Sequence, residues 1–174
     1  MADTPETQDE PWLSYEQQKD WQAVMALVMT LPIGLDSQLK KDAGINTFEY
    51  HVLVELAEAP ENSRIMSNLA THTRGSLSRL SHAVSRLEAA GWVERRACGG
   101  AGRRTEARLT DAGWAKLRDS APGHVREVRR LVIDALTDEQ LRALGSAARE
   151  IVAVADPGIA AILTVPHDPP ADVS

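Results

Sequence analysis

Residues 76–96 read SLSRLSHAVSRLEAAGWVERR. Leu77, Leu80, Val84 and Leu87 follow one another at steps of three, four and three, the spacing that gathers apolar side chains into one stripe of an α-helix. The opposite face carries Ser78, Arg79, His82 and Arg86, with positions 78, 82 and 86 stacked in one row. Ser76 stands where a helix N-cap is needed, and Gly91 where a helix stops. The periodicity then changes. Residues 92–97 and 105–109 read as two short strands joined by CGGAGRR at 98–104, a glycine-rich basic tip.

Working outward, THTRGS at 71–76 reads as a turn. Before it a short helix is expected at about 65–72, with Met66, Leu69 and Ala70 facing inward. Asn46 and Glu49 form a capping pair that opens a helix through Phe48, Val52, Leu53 and Leu56, which Pro60 stops. Helix, short helix, turn, helix and hairpin follow one another in the order of a winged helix-turn-helix. In such a unit the second helix of the motif enters the major groove of DNA. Arginine binds guanine edges with two hydrogen bonds, and serine and histidine reach base edges or phosphates. Arg103 and Arg104 at the tip suit the neighbouring minor groove or the backbone. The plainer reading of the Ser/Arg/His row is an ordinary solvated helix face; the cationic hairpin behind it weighs against that reading.

On either side lie further apolar stripes. Trp21, Val24, Val28, Leu31, Leu35 and Leu39 mark a helix from residue 12 to about 41, which Pro32 should kink and Gly44 should end. Thr110 and Asp111 open a helix that is expected to break near Pro122 and Gly123 and to resume through Val125, Val128, Val132 and Leu136. Thr137 and Gln140 form a second capping pair, and the last helix carries Leu141, Leu144, Ala148, Ile151 and Val152. The expected fold class is mainly α with a small β-wing: a winged helix-turn-helix lobe plus a helical dimerisation arm. The organisation is a flexible acidic tail at 1–11, a dimerisation helix at 12–45, a DNA-binding lobe at 46–110, dimerisation helices at 111–156 and a Pro-rich tail at 157–174. Alone, the outer stripes would expose a long apolar patch, which marks an interface.

Composition sets the outer limits. The 174 residues are 43% hydrophobic and only 4% aromatic, so aliphatic packing on helices must supply the core. Net charge is −6, yet residues 72–108 hold eight arginines, no lysine and three acids, a local +5 on an otherwise acidic chain. Guanidinium forks suit phosphate and guanine. A helical dimerisation or protein-partner module without DNA binding is the competing class, and this concentration of arginine argues against it. The single cysteine, Cys98, excludes an intramolecular disulfide and suits a reducing cytoplasm. A thiol beside Arg95 and Arg96 would also serve a regulator switched by oxidation, though no second cysteine is there to resolve it. The acidic start, MADTPETQDEPW, lacks a signal pattern, and no apolar run approaches a membrane span. The expected location is therefore cytoplasmic, with no membrane partner. The five histidines (51, 72, 82, 124 and 167) show no metal-ligand spacing. No nucleophile elbow is recognisable. Neither an enzyme nor a cofactor is expected.

The pattern SxSRLSHxxxRLExxGWVER, followed by a basic wing and LTDAG at 109–113, resembles the MarR family of bacterial transcription regulators over roughly residues 15–155. The resemblance implies a homodimer bound to a pseudo-palindromic operator in double-stranded DNA, acting as a repressor that is released by a small aromatic or lipophilic ligand or by thiol oxidation. It assigns recognition-helix roles to Ser76, Ser78, Arg79 and His82, a phosphate role to Arg86, and a wing role to Arg103, which Arg104 would share if the departure at position 101 loosens the wing. One departure stands out: Ala101 occupies the position two before the wing arginine where the family usually has an acid. For a ligand, Trp12, Tyr15 and His51 are the candidate wall residues, since aromatics with polar tips suit aromatic acids. Trp21 and Tyr50 could join them in lining a cleft or serve as interface core, and Trp21 is read as interface core.

Overall fold

The computed structural model describes residues 12–98 and 104–163. It is mainly helical with one small antiparallel sheet, as the periodicity requires. The chain divides into two units, the first ending at Gly34 and the second beginning at Leu35.

The first unit holds the start of helix α1 (Tyr15–Ala43). The helix begins at Tyr15 rather than at Trp12 because Ser14 and Gln17 cap it reciprocally: the Gln17 N–H donates to Ser14 Oγ and the Ser14 N–H to Gln17 Oε1. Pro32 lies inside α1 without ending it. Within this unit Trp21, Val28, Met29 and Ile33 all stand exposed.

The second unit contains the core. Helix α2 (Thr47–Ala57) starts at the expected capping box, with Asn46 Oδ1 accepting from the Glu49 N–H and Glu49 Oε2 from the Asn46 N–H. A short 3₁₀ turn leads to strand β1 (Ser63–Ile65), then helices α3 (Met66–His72) and α4 (Leu77–Ala89). Strands β2 (Val93–Cys98) and β3 (Arg104–Leu109) form the hairpin, and the sheet order is β1-β3-β2. The expected helix near 65 thus begins one residue later, and β1, which the hydropathy pattern did not suggest, pairs Arg64 with Ala107 on the far edge of β3. Three residues are too few to display a period of two.

Leu80, Ala83, Val84 and Leu87 of α4 are buried against Leu39, Phe48, Val52, Leu53, Leu56, Leu69 and Val93. Leu77 belongs to the sequence stripe but stands exposed at the first turn. The LTDAG stretch makes the joint between the hairpin and helix α5 (Asp111–Val128). Leu109 is buried, and Thr110 caps α5 by accepting from the Gly113 N–H. The same Thr110 Oγ1 donates to the Gly91 carbonyl at the end of α4, 2.7 Å away. A Cβ at position 113 would fall 2.1 Å from the Trp92 carbonyl oxygen, so the joint closes this tightly only on glycine.

Two expectations are corrected here. Helix α5 does not break at Pro122; it runs through to Val128, held by buried Leu117 and Ser120, and the irregularity appears downstream as a wide π turn over Arg129–Ile133. Such one-turn π segments absorb a misfit in the helical ladder. Helix α6 (Asp138–Ala155) then starts at the expected Thr137/Gln140 capping box. The second correction concerns the segment from 157 expected as a Pro-rich tail, which opens as helix α7 (Pro157–Leu163), with proline at the first helical position, where its missing N–H costs nothing.

Candidate nucleic-acid interface

Helix α4 is held from both flanks, and the hold leaves one row free. Ser76 caps it: its Oγ accepts from the Arg79 N–H at 3.1 Å, while its O–H remains a donor. On one flank Arg79 and Arg86, two turns apart, meet consecutive residues of α2. The Arg79 guanidinium carbon lies 4.1 Å from the centroid of the Phe48 ring. Arg86 Nε donates to the carboxylate of Glu49, whose side chain is only 8% exposed. On the other flank Arg95 of β2 reaches across. Its N–H and Nη1 bond Glu88, and its Nη2 bonds the Ser81 carbonyl and Ser85 Oγ. Between the flanks stand Ser78 and His82, both exposed. Among the described residues neither side chain has a hydrogen-bond or ion-pair partner, and neither does the Arg79 guanidinium.

The wing is described in part. Arg103, Ala101 and the glycines of the tip lie outside the described residues. Arg104 starts β3, exposed and opposite Cys98 in the ladder. With Ser67, Leu77, Ser81 and Arg95 it lines an open cleft between α3, α4 and the base of the wing. The structure therefore places Ser76, Ser78, Arg79, His82 and Arg86 on a single helix, with Arg104 across the cleft from it. It also shows residues that the sequence reading missed: Phe48, Glu49 and Arg95, which touch α4, and Arg74. Arg74 is exposed in the turn before α4 with its backbone at φ 54°, a left-handed conformation that costs a non-glycine residue energy. Its place among the arginines of residues 72–108 was the sequence signal for it.

The aromatic ligand candidates fall in separate units. Trp12 and Tyr15, in the first, are 81% and 79% exposed. His51, in the second, is an exposed residue of α2 beside Tyr50, whose ring packs 4.6 Å from that of His124. The Nδ1 atom of His124 is buried with no hydrogen-bond partner among the described residues. Desolvation holds both imidazoles below the ordinary histidine range. Glu55 partly offsets this at His51, Arg74 adds to it there, and the His51 charge adds to it at His124. Among the described residues no group of three or more His, Cys, Asp or Glu side chains is placed to hold a metal. None of their helices is long and apolar enough to cross a membrane.

A capped helix with a free Ser/Arg/His row, braced by a small sheet, defines a winged helix-turn-helix DNA-binding protein. The sequence model of the MarR family matches residues 43–104. Sco3205 from Streptomyces coelicolor, a MarR family transcriptional regulator solved in complex with DNA, is 43% identical; the match covers 84% of this chain and 95% of that one, with a TM-score of 0.80. AbsC from the same organism, another MarR family transcriptional regulator, is 35% identical over 85% of this chain and 99% of its own, with a TM-score of 0.79. The fold extends to the PcaV transcriptional regulator from S. coelicolor, solved with its natural ligand, at 18% identity, 84% and 100% coverage and a TM-score of 0.68. No curated protein matches the sequence. The chain belongs to the MarR family, whose members are transcription regulators and not enzymes.

The two histidines set a pH dependence of stability. Their folded-state pKa values lie below the unfolded value of about 6.5, so in the acid range the unfolded chain binds more protons than the folded one. Stability is then fully present above about pH 6.5 and declines as pH falls through that value towards the folded pKa values. Asp36, held below the usual carboxylate range by Lys40 and the Thr47 N–H, loses its contribution only in a lower window, below about pH 4. The melting temperature should drop between about pH 7.5 and 5.5, and replacing both His51 and His124 by asparagine should flatten that drop. An unchanged slope in the double variant would remove these histidines from the account.

Proposed function

We propose that the chain is a homodimeric repressor that reads a pseudo-palindromic operator with helix α4 of each copy and leaves it when a small aromatic or lipophilic ligand binds. The observation that carries the DNA-reading part is the free row on α4: Ser78, His82 and the unpaired Arg79 guanidinium on a helix whose other sides are all engaged. Ser76, Ser78, Arg79 and His82 are assigned to base edges and the nearest phosphates. Arg86, with Nε committed to Glu49, would reach phosphate through its Nη groups, and Arg103 and Arg104 would follow the backbone beside the wing. The DNA complex of Sco3205, at 43% identity, supports this reading. A dimer with one reading helix per half-site covers a helical turn or more of duplex, which suits repression by occlusion.

Dimerisation is supported by apolar surface outside the winged lobe: Trp21, Val28 and Ile33 on α1, and Ile151 and Val154 on α6. Residues 12–45 and 111–156 would form that arm. The ligand part rests on a protein of the same fold solved with its natural ligand, and exposed Trp12 and Tyr15 in the first unit and His51 in the second are each candidates to be tested separately.

Arg79→Ala should cost about 1–3 kcal/mol on the operator and much less on scrambled DNA. Arg86→Ala should weaken both duplexes alike and also lower the melting temperature, because Glu49 loses its counter-charge. Equal loss on both duplexes for Arg79→Ala would reduce the face to an electrostatic cushion. Light scattering at micromolar concentration should give twice the 18.9 kDa chain mass, against a monomer that keeps full DNA affinity. Titration with salicylate, followed by tryptophan fluorescence and operator binding together, should quench emission and weaken binding. Quenching with operator affinity intact would leave only a passive cleft, because a ligand shifts states solely through differential affinity.

A further inference from the structure

Arg79 and Arg86 leave the same flank of α4, yet α2 treats them differently, and the difference lies in two adjacent residues. Glu49 takes a hydrogen bond from Arg86 and balances its charge. Phe48 attracts the Arg79 cation with a ring face, 4.1 Å from centroid to guanidinium carbon, well inside cation–π range. A ring face consumes no N–H donor. Arg79 is therefore steered while all five donors of its fork stay free for DNA.

The ring itself is fixed. Phe48 is 8% exposed, sits in the first turn of a helix with a complete capping box, and belongs to the core cluster. Its tip lies against the backbone of the turn that precedes α4: a Cβ at Gly75 would stand 2.6 Å from Phe48 Cζ. Gly75 is in turn tied back to α3 by its N–H to the Ala70 carbonyl. The turn backbone thus meets the rim of the ring and the guanidinium its face, at the entrance of the reading helix.

We infer that Phe48 is a positioning residue for DNA recognition, a rigid platform that pre-orders the Arg79 guanidinium so that less side-chain freedom is lost when it meets a base. The inference rests on the reading of Arg79 as a base contact, and it adds to that reading a residue that never touches DNA. Ordering a long side chain opposes binding, and an arginine ordered beforehand lowers that cost on the specific site.

The test separates the ring's electrostatics from its bulk. Site-specific incorporation of mono- to pentafluorophenylalanine at position 48 keeps shape and burial nearly constant while draining the negative face. The probe is a duplex enriched by the wild-type protein from a randomised pool, with a scrambled duplex of equal length as control. Affinity for the enriched duplex should fall in order of fluorination, reaching about two- to fivefold, with the scrambled affinity and the melting temperature unchanged. In an Arg79→Ala background the same series should be flat. Phe48→Leu, which removes the ring and keeps an apolar side chain, should match the pentafluoro protein in specificity if it folds. A flat series in the wild-type background, or an equal slope without Arg79, overturns the inference while leaving Arg79 as a reader. Arg79→Ala that keeps full preference for the enriched duplex overturns both.

Discussion

The burial of Leu80, Ala83, Val84 and Leu87 is the constraint on which the rest of the protein depends. Leu80, Val84 and Leu87 are each worth roughly 1.5–3 kcal/mol when removed from water and the Ala83 methyl less than about 1 kcal/mol, so together they hold α4 in one rotational setting. A helix so fixed has no choice about which residues it offers outward. The two flanks then finish the task with polar contacts: Arg95 from the sheet on one side, Phe48 and Glu49 from α2 on the other. The Arg95 contacts are partly exposed and order side chains more than they stabilise the fold, whereas Arg86 also supplies the counter-charge of the buried Glu49.

The parts of this arrangement that depend on neighbours in the chain were legible in the sequence. Ser76, Asn46, Thr110 and Thr137 all cap helices, since capping joins residues three apart and leaves a local signature. The apolar stripe of α4 was legible for the same reason, and so was the hairpin, where periodicity changed at Gly91. Leu77 shows the limit of the method: its spacing fits the stripe, but it lies in the first turn and lines an open cleft instead of the core.

What stayed hidden depends on pairs that are distant along the chain. Glu49 and Arg86 are 37 residues apart. Arg95 and Ser81 are separated by a helix end and a strand start. No periodicity announces such contacts. The continuous α5 was missed for a related reason: Pro122 is a strong local breaker, and only packing around Leu117 and Ser120 outweighs it. In the candidate site the row of exposed residues was visible from sequence, while the division of labour between its two arginines was not.

Thr110 carries a mechanical consequence. Its one hydroxyl oxygen bonds both the last carbonyl region of α4 and the first turn of α5, so these two helices share a pivot at that atom. Ser78 lies thirteen residues before Gly91, the residue at the pivot, which is about 20 Å at the helical rise of about 1.5 Å per residue. A tilt of about 3° about that end displaces the Ser78 end by about 1 Å, more than the roughly 0.5 Å within which a binding constellation must be held. The N-terminal end of α4 is thus the long arm of a lever whose fulcrum is a threonine at the foot of the wing.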